Sequence, residues 1–233
     1  MDKTAIRHAA TIILLRDAAT APRVLMGQRG AKAVFMPGKF VFPGGAVDAG
    51  DHTVPLASDL PEICADRLGE DSAPGLEAGL FAAAIRELWE ETGLILGAPG
   101  DWPDAPEDWR AFAALGLRPN PRPLSFVFRA ITPPGRPRRF DARFFLADAD
   151  AVVGDPDDFS RASDELSHLQ WIPLEEVRHF TLPFITEVVL AEIAAALPDL
   201  GPPASVPFFK NSDEESLFLR LAGKRPLRAG RMD

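Results

Sequence analysis

Glu87, Glu90 and Glu91 fall at i, i+3 and i+4 in the run Arg86-Glu87-Leu88-Trp89-Glu90-Glu91-Thr92-Gly93-Leu94. That spacing puts three carboxylates on one face of an α-helix. Each like-charged pair so spaced costs a helix about 0.2–0.5 kcal/mol. Gly93 reads as the left-handed residue that ends the helix. The acids therefore also crowd the negative end of the macrodipole, a mismatch of about 0.3–1 kcal/mol each. A cluster disfavoured by itself becomes favourable around a hard divalent cation, because Mg²⁺ and Mn²⁺ take carboxylate oxygens. The competing reading is a solvated acidic face, with Arg86 bridging to Glu90 one turn on.

The helix that carries these acids is expected over residues 76–92, with Leu80, Ala84 and Leu88 on its apolar stripe. Upstream, Phe42-Pro43-Gly44-Gly45 reads as a strand entering a glycine-permitted turn, and the chain continues to Asp51. Residues 9–15 and 24–29 are β-rich runs joined as a hairpin, and residues 40–42 form a short strand. Later strands are expected at 124–131, 140–146 and 166–172, and helices over 103–115 and from Pro183 to Leu197. Residues 52–75 hold Pro55, Pro61, Pro74 and Gly75, with one short helix near 62–68. This segment reads as a surface lid or a packing element. The tail after Pro198 is proline-rich at first, and its end, residues 223–233, is charged and expected to be mobile.

Gly45, Asp51 and the run Arg86-Glu87-Leu88-x-Glu90-Glu91-x-Gly93-Leu94 together resemble the signature of the Nudix hydrolases. Two departures stand out. The first acid is Asp51 rather than glutamate, and residues 52–85 separate it from Arg86, a far longer gap than the family's usual one. The interrupted box, with Met36-Pro37-Gly38 and Val24-Leu25-Met26-Gly27-Gln28-Arg29 before it and Arg139-Phe140-Asp141-Ala142-Arg143-Phe144-Phe145 after it, resembles one subgroup. That subgroup is represented by the mammalian peroxisomal coenzyme A diphosphatase and its bacterial relatives. The resemblance extends broadly over residues 8–180.

The resemblance implies an α/β fold, a Nudix-type α/β/α sandwich with a mixed β-sheet and helical insertions. It implies hydrolysis of a nucleoside diphosphate derivative with Mg²⁺ or Mn²⁺, with coenzyme A or an acyl-CoA as the leading substrate. Other such diphosphates, ADP-ribose or NADH, are the alternative, and a noncatalytic ligand sensor is a third reading. Glu90 and Glu91 are the leading metal ligands, and Glu87 is a third ligand or a water activator. The Gly45 carbonyl adds a backbone ligand on the family's pattern. Arg86 orients the carboxylates through its forked donors, and Asp51 either supports Arg86 or caps the turn. Glu165, ahead of Asp164, is the candidate general base; both are otherwise ordinary loop acids.

Arg136, Arg138, Arg139 and Arg143 form a local basic cluster. Arg139 is a candidate substrate contact and so is Arg143, although Arg143 alternates with Phe144 on a strand and can be structural. Arg29, just ahead of the Met36-Pro37-Gly38 loop, is another phosphate candidate.

Composition fits one domain over residues 1–233. The chain has 233 residues and 46% apolar content, enough for a sizeable core. A net charge of −9 argues against nonspecific binding to nucleic acid, whose affinity comes from Lys and Arg displacing counterions. A polyanionic substrate then needs bridging cations or a local basic patch. The single cysteine, Cys64, excludes an internal disulfide and fits a reducing cytoplasm, with packing rather than nucleophilic attack as its role. Residues 1–10 lack the apolar core of a signal peptide, no stretch has the ~18 apolar residues of a membrane span, and residues 230–233 are not a peroxisomal address. A cytoplasmic small-molecule enzyme is expected, its oligomeric state left open, a homodimer included.

Overall fold

Alternation along β1 (Ile6–Arg16) sets the layers. Successive strand residues point to opposite faces. Ala10, Ile12 and Leu14 join the core beneath helix α2 (Glu77–Thr92), and Ile13 and Leu15 join the core beneath helix α4 (Phe184–Ala196). The computed structural model describes residues 5–31, 33, 35–212 and 215–223. Except for Gly223, the expected mobile end at 223–233 lies outside the described residues.

Among the described residues the main sheet is mixed and forked. β8 (Arg139–Asp148) runs parallel to β1, from Ile6 opposite Arg139 to Leu15 opposite Asp148. Outward from β8 come β7 (Ser125–Ile131), antiparallel, then β10 (Val206–Asn211), parallel to β7, and β11 (Ser216–Leu221), antiparallel to β10. On its other side β1 is shared. Ala9 to Thr11 pair with β4 (Gly44–Ala46), whereas Leu15 and Arg16 pair with β2 (Arg23–Arg29). β2 then takes β3 (Phe40–Val41) on one part of its length and β9 (Leu166–Pro173) on another. The fork brings the glycines of β4 and the last residue of β2 to the same end of α2.

The expected elements are present with small shifts at their ends, as is usual for helix boundaries. α2 starts one residue later than expected, and helix α3 covers only Glu107–Ala113. α2 is not the one-stripe helix of the sequence reading. From Gly79 to Arg86 every residue is buried, because the insertion covers the side that the sheet does not; a helix apolar all round belongs in an interior. The insertion carries helix α1 (Glu62–Leu68). Cys64 and Leu68 belong to the same core as α2, and Cys64 Sγ accepts a hydrogen bond from Phe126 N–H at 3.3 Å. Arg67 is fully buried and donates to the carbonyls of Pro203 and Ala204 at 2.6 and 2.9 Å. Between the two sequence readings of this segment, the contacts are those of a packing element.

The hairpin β10–β11 and the small sheet of β5 (Gly97–Pro99) with β6 (Leu117–Pro119) were not expected. The prolines before and within β10 masked its alternation, in which buried Val206 and Phe208 face the core. Among the described residues no helix is long and apolar enough to cross a membrane.

Candidate active site

Gly93 ends α2 in the left-handed region, with φ of 77° and its N–H donated to Trp89 O at 2.8 Å. Only glycine adopts that conformation without strain. The last turn of α2 holds no basic residue, so compensation for its acids comes from Arg86, one turn earlier. The Arg86 guanidinium is buried and fully engaged. It donates to Asp51 twice, Nε to Oδ1 at 2.9 Å and Nη2 to Oδ2 at 3.0 Å, and Nη2 also reaches Ala46 O at 3.0 Å. Nη1 is shared between Glu87 Oε1 at 2.9 Å and Glu90 Oε2 at 3.0 Å. Burial pulls its pKa down, but Asp51 and Glu87 outweigh that and hold it above the ordinary value. Arg86 is therefore a fixed cationic frame for three acids.

Glu91 is held differently. Its Oε2 accepts the Gly44 N–H at 2.8 Å, while its Oε1 is buried with no hydrogen-bond partner. Gly45, next along β4, lies against Glu87 so closely that any Cβ would overlap the carboxylate. Burial pushes Glu87 up to about 7, against the pull of Arg86, and pushes Glu91 up to about 8, with repulsion from Glu87 adding to it. Glu90 is also raised by burial, with Arg86 opposing. Buried carboxylates with more negative charge than local cations satisfy are the groups that such shifts mark.

The donor set fits a hard divalent cation. It offers carboxylate oxygens, one of them buried without a hydrogen-bond partner, beside a backbone turn too tight for any side chain. Among the described residues no three His, Cys, Asp or Glu side chains form a ready-made cage; Glu87 and Glu90 are turned onto Arg86 and Glu91 onto Gly44. Freed from those partners, Glu87, Glu90 and Glu91 are the side chains that would hold the ion, with Gly44 and Gly45 of β4 as the adjoining backbone.

Two further sequence candidates arrive at this place. Arg29, the last residue of β2, stands opposite Leu166 at the start of β9, and its Nη1 lies 4.0 Å from Glu91 Oε1. Glu165 immediately precedes Leu166 and is near enough for its charge to raise both Glu87 and Glu91. Arg29 and Glu165 are thus brought together by strand register rather than by sequence.

No family model matches the chain. It is 32% identical over 183 residues to the Caenorhabditis elegans protein called nudix hydrolase 7, covering 73% of this chain and 52% of that protein. It is 28% identical over 243 aligned positions to the acyl-coenzyme A diphosphatase NUDT19 of Gallus gallus, covering 75% of this chain and 63% of that protein. The chain therefore spans half to under two thirds of the length of these relatives. A crystal structure of a NUDIX hydrolase from Alicyclobacillus acidocaldarius superposes with a TM-score of 0.62 at 27% identity, over 86% of this chain and 99% of that one. In sequence and in fold the chain resembles the Nudix hydrolases.

Within this Nudix fold the other two arginine candidates lie elsewhere. β8, which carries both, is separated from β4 by β1. Arg139 is buried and donates to Thr132 O at 3.1 Å and Asn211 O at 3.3 Å. Arg143 is fully buried, paired with Asp141 Oδ2 at 2.9 Å and donating to Ser72 Oγ at 2.8 Å; burial brings it down to about 10, with Asp141 opposing. The structure sets both apart from the carboxylates of α2, with Arg139 turned to backbone carbonyls and Arg143 to Asp141 and Ser72, its Nε buried with no hydrogen-bond partner. Arg129 completes the network, donating to Asp141 through Nε and Nη2 at 2.9 and 2.7 Å and to the carbonyls of Glu70 and Asp71. The arginines of the basic cluster thus split, with Arg136 and Arg138 exposed and Arg139 and Arg143 inside.

Two participants were missed in the sequence. Asp48 N–H donates to Asp51 Oδ2 at 2.8 Å, and its carboxylate is 3.7 Å from Arg86. The Asp-x-x-Asp spacing at 48 and 51 was the available signal for a capped turn. Ser163 N–H donates to Glu90 O at 3.2 Å, a contact between segments distant in sequence that no local pattern announces.

Proposed function

We propose that this protein is a member of the Nudix family and a metal-dependent diphosphatase working as one catalytic domain, with coenzyme A or an acyl-CoA as its leading substrate. The observation that carries the hydrolase reading is the pair Glu87 and Glu91 beside β4, with Glu91 Oε1 buried and accepting no hydrogen bond. A noncatalytic sensor has no need to keep such a cluster, which costs the fold stability. A bound Mg²⁺ or Mn²⁺ supplies charge screening for the phosphoryl oxygens and acidifies water near neutral pH.

The chain's own residues supply the rest. Arg86, fixed by Asp51, holds Glu87 and Glu90 in one orientation, and the Gly44 N–H fixes Glu91. Glu165 accepts a proton from the attacking water, which requires a group within hydrogen-bond reach of it in the substrate complex. Arg29 offers a forked, charge-assisted contact to a phosphate of the diphosphate. The products from coenzyme A are 3′,5′-ADP and 4′-phosphopantetheine.

Support for that substrate comes from the segments around the interrupted box and from the acyl-coenzyme A diphosphatase among the relatives. The test is a mass-spectrometric screen of CoA, acyl-CoA, ADP-ribose, NADH and diadenosine polyphosphates with Mg²⁺ and Mn²⁺. EDTA abolishes the activity and either ion restores it. Cleavage of ADP-ribose without CoA cleavage overturns the substrate; no cleavage of any diphosphate overturns the enzyme.

A further inference from the structure

The loop that delivers Glu165 is docked on the last turn of α2 by groups outside the carboxylate cluster. Ser163 N–H donates to Glu90 O at 3.2 Å, satisfying one of the carbonyls that a helix end leaves open. Arg161 backs onto Gly93: a Cβ there would come within 2.8 Å of Arg161 Cβ and 3.2 Å of its carbonyl carbon. The glycine thus serves loop docking as well as its own left-handed conformation. The Arg161 guanidinium stands 5.8 Å from the centre of the Trp89 ring, inside the range of a cation–π contact. It also brings a cation to a helix end that has none of its own. The loop is pinned further back as well, with Trp171 Nε1–H donating to Pro156 O at 3.2 Å and Arg16 pairing with Asp157 at 2.9 Å.

Between these anchors and β9, Asp164 and Glu165 are exposed. Glu165 is therefore held from both sides. The β9–β2 register fixes Leu166 after it, and Arg161 and Ser163 seat the chain before it, beside the weak approach of its N–H to Ser163 Oγ at 3.4 Å. We propose that Arg161 is a positioning residue: seated on Trp89 and Gly93, it holds the acid loop against α2 and so fixes the distance of Glu165 from Glu87 and Glu91. The proposal rests on the reading of Glu165 as proton acceptor. Arg161 itself touches no reacting atom, and its removal lets the loop ride away from the helix end.

The experiment compares Arg161→Ala, Arg161→Lys, Glu165→Gln and the double variant Arg161→Ala/Glu165→Gln, with CoA as substrate. Arg161→Ala lowers kcat about tenfold, the scale expected when a reacting group is displaced by less than an ångström or so. KM, thermal midpoint and Mn²⁺ affinity measured without substrate stay at wild-type values. Arg161→Lys, which keeps the cation and its stem, recovers most of the loss. In the Glu165→Gln background Arg161→Ala has no further effect, the non-additivity of two residues acting through one group. Wild-type kcat in Arg161→Ala beside an impaired Glu165→Gln overturns the proposal alone, as does an equal fall in both backgrounds. A fully active Glu165→Gln overturns the base assignment and the proposal with it.

Discussion

Arg86 grips Asp51 through two parallel hydrogen bonds, 2.9 and 3.0 Å long, although the two lie 35 positions apart in the chain. Both side chains are buried, and the same guanidinium orients Glu87 and Glu90. The long insertion therefore leaves the relationship between turn and helix intact. Breaking a buried pair by removing one partner strands the other charge and costs about 3–5 kcal/mol. Asp51→Ala is expected to lose stability on that scale in urea unfolding and to lower kcat, because Arg86 then pulls Glu87 and Glu90 toward itself. A variant with wild-type stability would show that the pair is not the keystone of this turn.

Glu91, a proposed metal ligand, carries a buried charge that costs stability, and pH exposes that cost. Its folded pKa, about 8, and that of Glu87, about 7, lie above the ordinary 4.5. A raised carboxylate contributes stability that is complete below the unfolded value and is lost as pH rises through the folded one. In EDTA, stability from these two acids is expected to fall between about pH 5 and pH 8. His8, lowered by burial and by Arg143, slopes the other way near its ordinary value, so the difference between wild type and Glu91→Gln is the readout. That variant keeps an oxygen for the Gly44 N–H and removes the buried charge. It should be the more stable protein at pH 8 by on the order of 1–3 kcal/mol, with little difference at pH 5, and should have lost turnover. Identical melting curves at both pH values would remove Glu91 from the buried-charge account.

How much of this was legible in the sequence depends on range. The acid face of α2, its glycine end and the strands of β1 and β2 follow from periods and turn residues within a dozen positions. The seating of Arg29 beside Glu91 and of Glu165 beside both acids depends on β2 pairing with β9 across more than a hundred residues, which no local period encodes. The surroundings of Arg139 and Arg143 were hidden for a related reason. An arginine in a strand gives the same letter whether it faces a phosphate or a buried aspartate, and only the partner strand with Arg129 distinguishes the two. The hairpin of β10 and β11 was hidden by Pro207 and by the proline-rich run before it.

The insertion supplies a prediction that separates packing from gating. Leu68 is buried in the core of α2, and the carbonyls of Glu70 and Asp71 satisfy Arg129. Leu68→Ala is expected to cost about 2–5 kcal/mol, as other buried leucine truncations do. Replacing residues 56–75 by a short linker should unfold the protein rather than shift KM, because it also leaves Arg129 and Arg143 without covering partners. A folded deletion variant with altered substrate preference would restore the lid reading.

The arginines give the last test, because position in the fold separates their roles. Arg139→Ala removes donors to Thr132 and Asn211 and is expected to cost about 1–3 kcal/mol of stability, with the ratio of CoA to 3′-dephospho-CoA hydrolysis unchanged. Arg29 stands 4.0 Å from Glu91, beside the proposed site of bond cleavage, and on that reading meets the diphosphate that both substrates share. A charge-assisted hydrogen bond is worth about 1.5–3 kcal/mol, and each 1.36 kcal/mol is about tenfold in rate. Arg29→Ala is therefore expected to lower kcat/KM roughly 10- to 150-fold for CoA and 3′-dephospho-CoA alike. A loss confined to CoA would instead make Arg29 the reader of the 3′-phosphate and move the diphosphate contact to another group. Lysine at the same position keeps the charge but not the fork, so Arg29→Lys should fall between the two, and a fully active Arg29→Lys would mean that charge alone is read there.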